Sequence, residues 1–141
     1  MWHITFEDRL RDWNSLRHNV VSLSDQERYL AINNWWWQAP IVNRAITWDQ
    51  YPGWPDPWHL LRDNNFCDLA KALGIVYTIM MVDADTQHRV CITRCDQGNL
   101  VLIDQGKYIL NWAPGQLLNI ESAKITPIRQ ATGESLYQLI G

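Results

Sequence analysis

The sequence predicts an α+β fold, with helices in its first half followed by an antiparallel β-meander. Apolar residues recur at helical spacing near the N-terminus, and a capping-box sequence begins a second helix. After position 75, short β-rich runs alternate with turn residues. The chain has 141 residues, of which 47% are apolar and 19% charged, so it is long enough to form one hydrophobic core. We therefore expect a single domain over residues 1–141.

The helical part is predicted over residues 1–48. The apolar residues of its first helix recur at helical spacing, at Phe6, Leu10, Trp13 and Leu16. Ser24 and Glu27 form the capping-box pattern that begins the second helix, and Pro40 ends it. Three adjacent tryptophans near its end occupy more than half of the helix circumference. At least one of them should therefore contact another layer of this chain or a partner.

A proline- and tryptophan-rich loop is predicted over residues 49–58, where three prolines within six positions exclude a helix or a central strand. Asp56-Pro57 is typical of an N-cap followed by the first helical residue. The helical segment over 59–74 carries Cys67, and Gly74 is predicted to end it.

The antiparallel sheet is predicted over residues 75–128, and short turns between its strands favour a meander. Its four clearest strands are Ile75–Val82, His88–Cys95, Asn99–Asp104 and Lys107–Trp112. Residues 117–128 can add a strand before Pro127, and the tail over 129–141 can form a short closing helix from Glu134.

A candidate catalytic set consists of Cys67, His88 and Asp104. Cys67 is predicted in the first turn of its helix, where free backbone N–H groups and the helix dipole favour a thiolate. A nucleophilic cysteine also needs a histidine as its base and a third group to orient that histidine. The alternative is a buried cysteine, a surface histidine and a turn aspartate, since free cysteine is commonly buried.

The turn between the second and third predicted strands decides whether this histidine and aspartate can meet. With Gly98 in the left-handed position of a three-residue loop, Asp104 falls opposite Val90. Alternate residues share a face of a strand, so Asp104 and His88 then become diagonal neighbours. A two-residue loop would place them on opposite faces.

This order of a helical cysteine, a histidine that opens one strand and an aspartate that closes the next resembles the transglutaminase-like branch of papain-type thiol enzymes. The resemblance covers residues 66–112, through the segments Cys67-Asp68-Leu69-Ala70, His88-Arg89-Val90-Cys91-Ile92 and Gly98-Asn99-Leu100-Val101-Leu102-Ile103-Asp104. It implies a papain- or transglutaminase-like core, with Cys67 as nucleophile, His88 as general base and Asp104 as its orienter. Enzymes of this group cleave or exchange amide bonds through a thioester. Three side chains are candidates for an oxyanion hole, namely Gln50, Asn64 and Asn65.

A second resemblance covers the middle of the chain. The segments Trp54-Pro55-Asp56-Pro57-Trp58-His59-Leu60-Leu61 and Cys67 to Thr78 resemble small virion proteins of contractile-tailed phages, notably phages of cyanobacteria. This resemblance implies a tail or baseplate component in which a thiol-enzyme-like fold is a scaffold. We take this as the leading functional hypothesis, with other protein subunits as partners and the virion as a possible location. A small thiol hydrolase or amidase is the alternative.

The chain contains nine tryptophans, a density that often marks an interface or a sugar-binding surface, although a tryptophan-rich core is equally compatible with it. The candidate interface residues are Trp35, Trp36, Trp37, Trp54 and Trp58. A glycan-binding module is the least favoured hypothesis, because it needs at least two coplanar, exposed tryptophans on a rigid face.

The charge and the cysteine content of the chain argue against several classes of protein. The net charge of −3 argues against a nucleic-acid or anionic-membrane partner. The first eight residues contain two acids and lack the basic start of a signal peptide, so we expect synthesis in the cytoplasm without one. An odd count of three cysteines argues against a disulfide framework. No metal or cofactor motif is present in the sequence.

Overall fold

The protein has an α+β fold, seen in a computed structural model that describes residues 2, 5–41, 46–96, 98–119 and 125–140. The helices of this part of the chain are α1 Phe6–Val20, α2 Asp25–Trp37, α3 Pro57–Asp63, α4 Asp68–Val82 and α5 Gly133–Tyr137. Its strands are β1 Val90–Cys95, β2 Gly98–Ile103, β3 Tyr108–Ala113, β4 Gln116–Leu118 and β5 Arg129–Thr132. Short 3₁₀ helices lie at Trp48–Gln50, Ala84–His88 and Asp104–Gly106.

The five strands form one antiparallel sheet in the order β4-β3-β2-β1-β5. Strands β1 to β4 form a meander in which β1, β2 and β3 correspond to three of the four predicted strands, whereas β5 returns to the opposite edge and pairs with β1. One face of the sheet packs against the helices, and a smaller apolar cluster lies on the other face. Residues 120–124, in the middle of the predicted strand over 117–128, lie outside the described residues.

The helix starts agree with the sequence prediction because local hydrogen bonds determine them. The Ser24 hydroxyl accepts a hydrogen bond from the backbone N–H of Glu27 at the start of α2. Asp56 accepts one from the backbone N–H of His59, and Pro57 is the first residue of α3. These side chains satisfy N–H groups that a helix leaves free in its first turn.

The predicted strand over Ile75–Val82 is wrong, because α4 continues through Gly74 to Val82. Every residue from Leu69 to Met80 is buried, so this helix is enclosed on all sides and shows no polar face in its sequence. Gly74 does not end the helix. It allows the indole ring of Trp36 to approach, since a Cβ atom at this position would lie 2.6 Å from that ring.

Most of the tryptophans predicted at an interface belong to the core instead. Trp35, Trp36 and Trp54 are 8%, 0% and 4% exposed. Helix α2 packs against α1, α4 and β3, so several of its faces are covered by layers of the same chain. Of the predicted set, Trp37 is half-buried and Trp58 remains 40% exposed.

Candidate functional site

Cys67 lies at the N-cap of α4, half-buried, at the wall of a cavity of about 420 Å³. The cavity is bounded by the start of α4, the 3₁₀ helix at Trp48–Gln50 and the adjoining ends of β1 and β2. The Cys67 thiol donates a weak hydrogen bond to the carbonyl oxygen of Ile46, with an S···O distance of 3.7 Å. The sequence predicted this thiol in the first helical turn, and the structure places it one position earlier, at the N-cap.

Asp68 connects the start of α4 to the sheet. Its carboxylate accepts hydrogen bonds from the backbone N–H of Asn99 at 2.6 Å, from the Asn99 side-chain amide at 3.2 Å and from the Asn111 amide at 3.1 Å. Desolvation raises the pKa of Asp68, although these hydrogen bonds and the nearby Lys71 act in the opposite direction. The first acid after Cys67 is therefore a structural acceptor.

Asn111 provides the second half of this network from β3. Its amide nitrogen donates to the backbone carbonyls of Asp68 at 3.0 Å and Asn99 at 2.8 Å. Its own backbone N–H donates to the Asn33 side chain of α2 at 2.8 Å. Asn111 has a φ of 67°, in the left-handed region that asparagine tolerates better than most residues. Asn111 thus connects two helices, α2 and α4, with two strands, β2 and β3.

His88 and Asp104 lie away from Cys67 and line a different cavity of about 660 Å³. His88 Nδ1 is 3.6 Å from the Glu134 carboxylate, and Asp104 pairs with Arg89 at 3.1 Å. Helix α4 has 15 residues and is therefore about 22 Å long, with Cys67 before its start and His88 beyond its end. The predicted triad of Cys67, His88 and Asp104 is not assembled.

Two premises of the predicted triad are also wrong: His88 ends the 3₁₀ helix Ala84–His88 and does not open a strand, and the hairpin register differs from the prediction. Cys95 pairs with Gly98 and Val90 with Ile103, so the loop contains two residues where three were predicted. One of them, Gln97, lies outside the described residues. Asp104 consequently falls beside Arg89, whose backbone carbonyl accepts a hydrogen bond from the Asp104 N–H. A shift of one residue in strand pairing moves each side chain to the opposite face of the sheet.

None of the candidate oxyanion-hole side chains lines the Cys67 cavity. Gln50 accepts a hydrogen bond from the backbone N–H of Thr47, and Asn64 accepts one from the Trp2 indole. The site residues that the sequence prediction missed are Asn99 and Asn111 of the network, and Trp48 and Arg94 of the cavity wall. The sequence contains one indication of the role of Asn111, because asparagine is unfavourable inside an apolar strand such as YILNWA.

Lys71, one turn after Asp68, is 2% exposed. Its ammonium group donates to the carbonyl oxygen of Trp37 at 3.4 Å and lies 4.9 Å from the centroid of that indole ring. Trp37 is the last residue of α2, so the charge lies at a helix C-terminus, where the helix dipole favours a cation. Desolvation nevertheless lowers the pKa of Lys71, although Asp68 opposes this shift.

The burial of Lys71 predicts that the free energy of unfolding depends on pH. Between the lowered pKa of folded Lys71 and its ordinary value of 10.5, the unfolded chain binds more protons than the folded chain. The free energy of unfolding should therefore rise with pH over this interval. The Lys71→Met variant should lose this rise and be at least as stable as the wild type at neutral pH. The measurement is the difference in urea-unfolding free energy between the two proteins from pH 7 upward, and a constant difference would contradict the prediction.

A search against family models finds no match to this chain, and a search of curated proteins finds none either. Within the described ranges, no helix has the length and apolar character that crossing a membrane requires. In the same part of the chain, no three His, Cys, Asp or Glu side chains form a group that could bind a metal ion.

Proposed function

We propose that this protein is a structural component of a multiprotein particle, of the contractile phage tail or baseplate kind, whose thiol-enzyme-like core is a scaffold. The observation that carries the proposal is the composition of the Cys67 cavity. Among the residues that the structure describes, this wall contains no histidine, and Asn99 lines it together with Cys67. An asparagine has no titratable proton, so it cannot act as the general base that a thiol hydrolase needs.

The hydrogen bonds around the cavity also support a scaffold. Asp68, Asn99 and Asn111 bond to one another, and they connect α4 to β2 and β3. Trp48 donates its indole N–H to the Asn99 side chain at 2.8 Å. Hydrogen bonds between distant elements fix the relative positions of helices and strands, which suits a rigid building block, although Asn111 Oδ1 is buried with no partner among the described residues.

Among the exposed apolar side chains, Trp58 supplies a contact point for partner subunits. The large ones among the described residues are Val21, Ile41, Trp58, Trp112 and Ile128. Trp58 belongs to the loop and helix start that resemble virion proteins, and its ring packs edge-on against buried Trp13. A partly exposed tryptophan with a buried neighbour behind it resembles the anchors of protein interfaces. Trp58 and Trp112 lie on different elements, α3 and β3, which gives no support to a paired sugar-binding platform.

The alternative thiol hydrolase rests on the position of Cys67 at a helix start beside a cavity, and site-resolved alkylation distinguishes the two functions. For a scaffold, we expect the rate of Cys67 alkylation across pH, read by mass spectrometry, to be unchanged in His88→Ala. Cys91 is the internal reference, because burial raises the pKa of its thiol, although a hydrogen bond with Thr93 opposes the shift. Rapid alkylation of Cys67 in acid that disappears in His88→Ala would overturn the proposal.

A second experiment tests assembly directly. We expect the isolated protein to self-associate as its concentration rises, as measured by sedimentation velocity. Trp58→Ser should weaken this association severalfold, because large aromatic side chains dominate interface energies. Trp112→Ser is the matched control, since Trp112 is 38% exposed against 40% for Trp58 and lies on the sheet. A protein that stays monomeric at every concentration, or equal losses in both variants, would argue against the proposal.

A further inference from the structure

Two arginines face each other across neighbouring strands at one end of the sheet. Arg94 of β1 is the direct antiparallel partner of Arg129 of β5, and both are exposed. Neither forms an ion pair with any residue that the structure describes, whereas Arg11, Arg62 and Arg89 each have an acidic partner. Like charges directly opposite each other on a sheet are destabilising, so this arrangement has a cost in the free protein.

Both arginines adjoin the cavity beside Cys67. Arg94 forms part of the cavity wall. The guanidinium carbon of Arg129 lies 5.3 Å from the ring centroid of Trp48, which is another part of that wall. The indole ring therefore packs against the face of the Arg129 guanidinium group. The N–H groups of that guanidinium remain free for an acceptor.

Two acids belong to the same wall and limit the charge of a ligand. The Asp68 carboxylate already accepts three hydrogen bonds from Asn99 and Asn111, whereas Asp49 is exposed. Since the formal charges of Asp49 and Asp68 equal in number those of Arg94 and Arg129, a singly charged anion fits this cavity better than a doubly charged phosphate. The planar guanidinium fork matches the geometry of a carboxylate.

We propose that Arg94 and Arg129 bind a carboxylate group of an acidic segment from a partner protein, which enters the cavity beside Cys67. This inference rests on the proposed role in an assembly and names the chemistry of one contact within it. Binding of the carboxylate relieves the repulsion between the two guanidinium groups. The contact therefore stabilises the complex more than the free protein.

The probe is a fluorescein-labelled Gly/Glu peptide with a free C-terminal carboxylate. A matched peptide has Gln in place of Glu and an amidated C-terminus. Fluorescence anisotropy measures binding, and the alkylation rate of Cys67 reports whether the cavity is filled. We expect the acidic peptide to bind and to slow alkylation of Cys67. The neutral peptide and an equal concentration of inorganic phosphate should do neither.

Variants separate this site from general charge attraction. Arg94→Gln and Arg129→Gln should each weaken binding of the acidic peptide about tenfold, since each loses a charge-assisted hydrogen bond. Asp49→Asn should tighten binding about twofold to threefold by removing a repulsive charge. Arg62→Gln is the control, because Arg62 lies on α3 and forms an ion pair with its neighbour Asp63. Its peptide affinity should equal that of the wild type.

The melting temperature of the free protein is a second measurement. If Arg94 had only a structural role, its substitution would lower this temperature. Arg94→Gln should leave the melting temperature of the free protein unchanged or raise it, while it weakens peptide binding. Three results would overturn the inference: no peptide binding, equal binding of the neutral peptide, or an equal loss in Arg62→Gln. Self-association of the wild type is measured separately, so failure of this contact can be distinguished from failure of the assembly role.

Discussion

Thr78→Val should lower the free energy of unfolding by about 2–4 kcal/mol, because it leaves two buried indole N–H groups without an acceptor. Thr78 lies in the middle of α4 and is fully buried. Its hydroxyl oxygen accepts hydrogen bonds from Trp13 of α1 and Trp36 of α2, both at 2.9 Å. The same hydroxyl donates to the carbonyl oxygen of Gly74 at 2.8 Å. One hydroxyl group therefore connects three helices.

Urea denaturation followed by far-ultraviolet circular dichroism measures this effect. Thr78→Ser is the matched control, because serine keeps the hydroxyl oxygen and loses only a methyl group. We expect the serine variant to lose less than half as much stability as the valine variant. Equal losses in both variants would mean that packing of the methyl group, and not acceptance from the two indoles, explains the role of Thr78.

Gly74→Ala should destabilise the protein by about 1–3 kcal/mol, the usual cost of overpacking a core. In an exposed helix interior the same change stabilises by about 1 kcal/mol, since alanine is the better helix former. Here the new methyl group would lie 2.6–2.7 Å from three atoms of the Trp36 indole ring. Trp36 is fully buried and Gly74 is buried, so neither can move aside without disturbing other core contacts.

A double-mutant cycle with Trp36→Leu checks the cause of this effect. The leucine side chain is smaller than the indole, so it leaves room for the added methyl group. In that background we expect Gly74→Ala to be neutral or stabilising. The interaction between the two substitutions should therefore be at least about 1 kcal/mol, as for residues in direct contact. Additive effects would mean that contact with the Trp36 ring does not explain why position 74 requires a glycine.

Local features of the fold were predictable from the sequence. The starts of α2 and α3 follow from Ser24 and Asp56-Pro57, since a cap acts on N–H groups two or three residues away. The antiparallel pairing of β1, β2 and β3 follows from short turns between apolar runs, whereas the first predicted strand is part of α4. The position of Cys67 at a helix start was also predictable, because it precedes a run of good helix formers.

The site around Cys67 was only partly predictable. Its partners Asn99 and Asn111 are distant along the chain, and their roles depend on how β2 and β3 align with α4. The hairpin between Cys95 and Gly98 differs from the prediction by one residue, and His88 ends a 3₁₀ helix where the prediction had it open a strand. The carboxylate of Asp68 lies where a side chain at Gly98 would have to be, only 2.8 Å from a Cβ atom there. A contact between α4 and β2 thus favours the observed pairing.

The sequence alone determined the fold class, the helix starts and the position of the thiol close to a helix start, because these depend on neighbours within a few residues. The tertiary structure decided that residues 75–82 are helical, that Trp35, Trp36 and Trp54 are core, and that the predicted triad is not assembled. A short apolar run satisfies either a buried helix or a buried strand. Only the surrounding layers, here Trp36 against Gly74 and two indoles bonded to Thr78, distinguish the two.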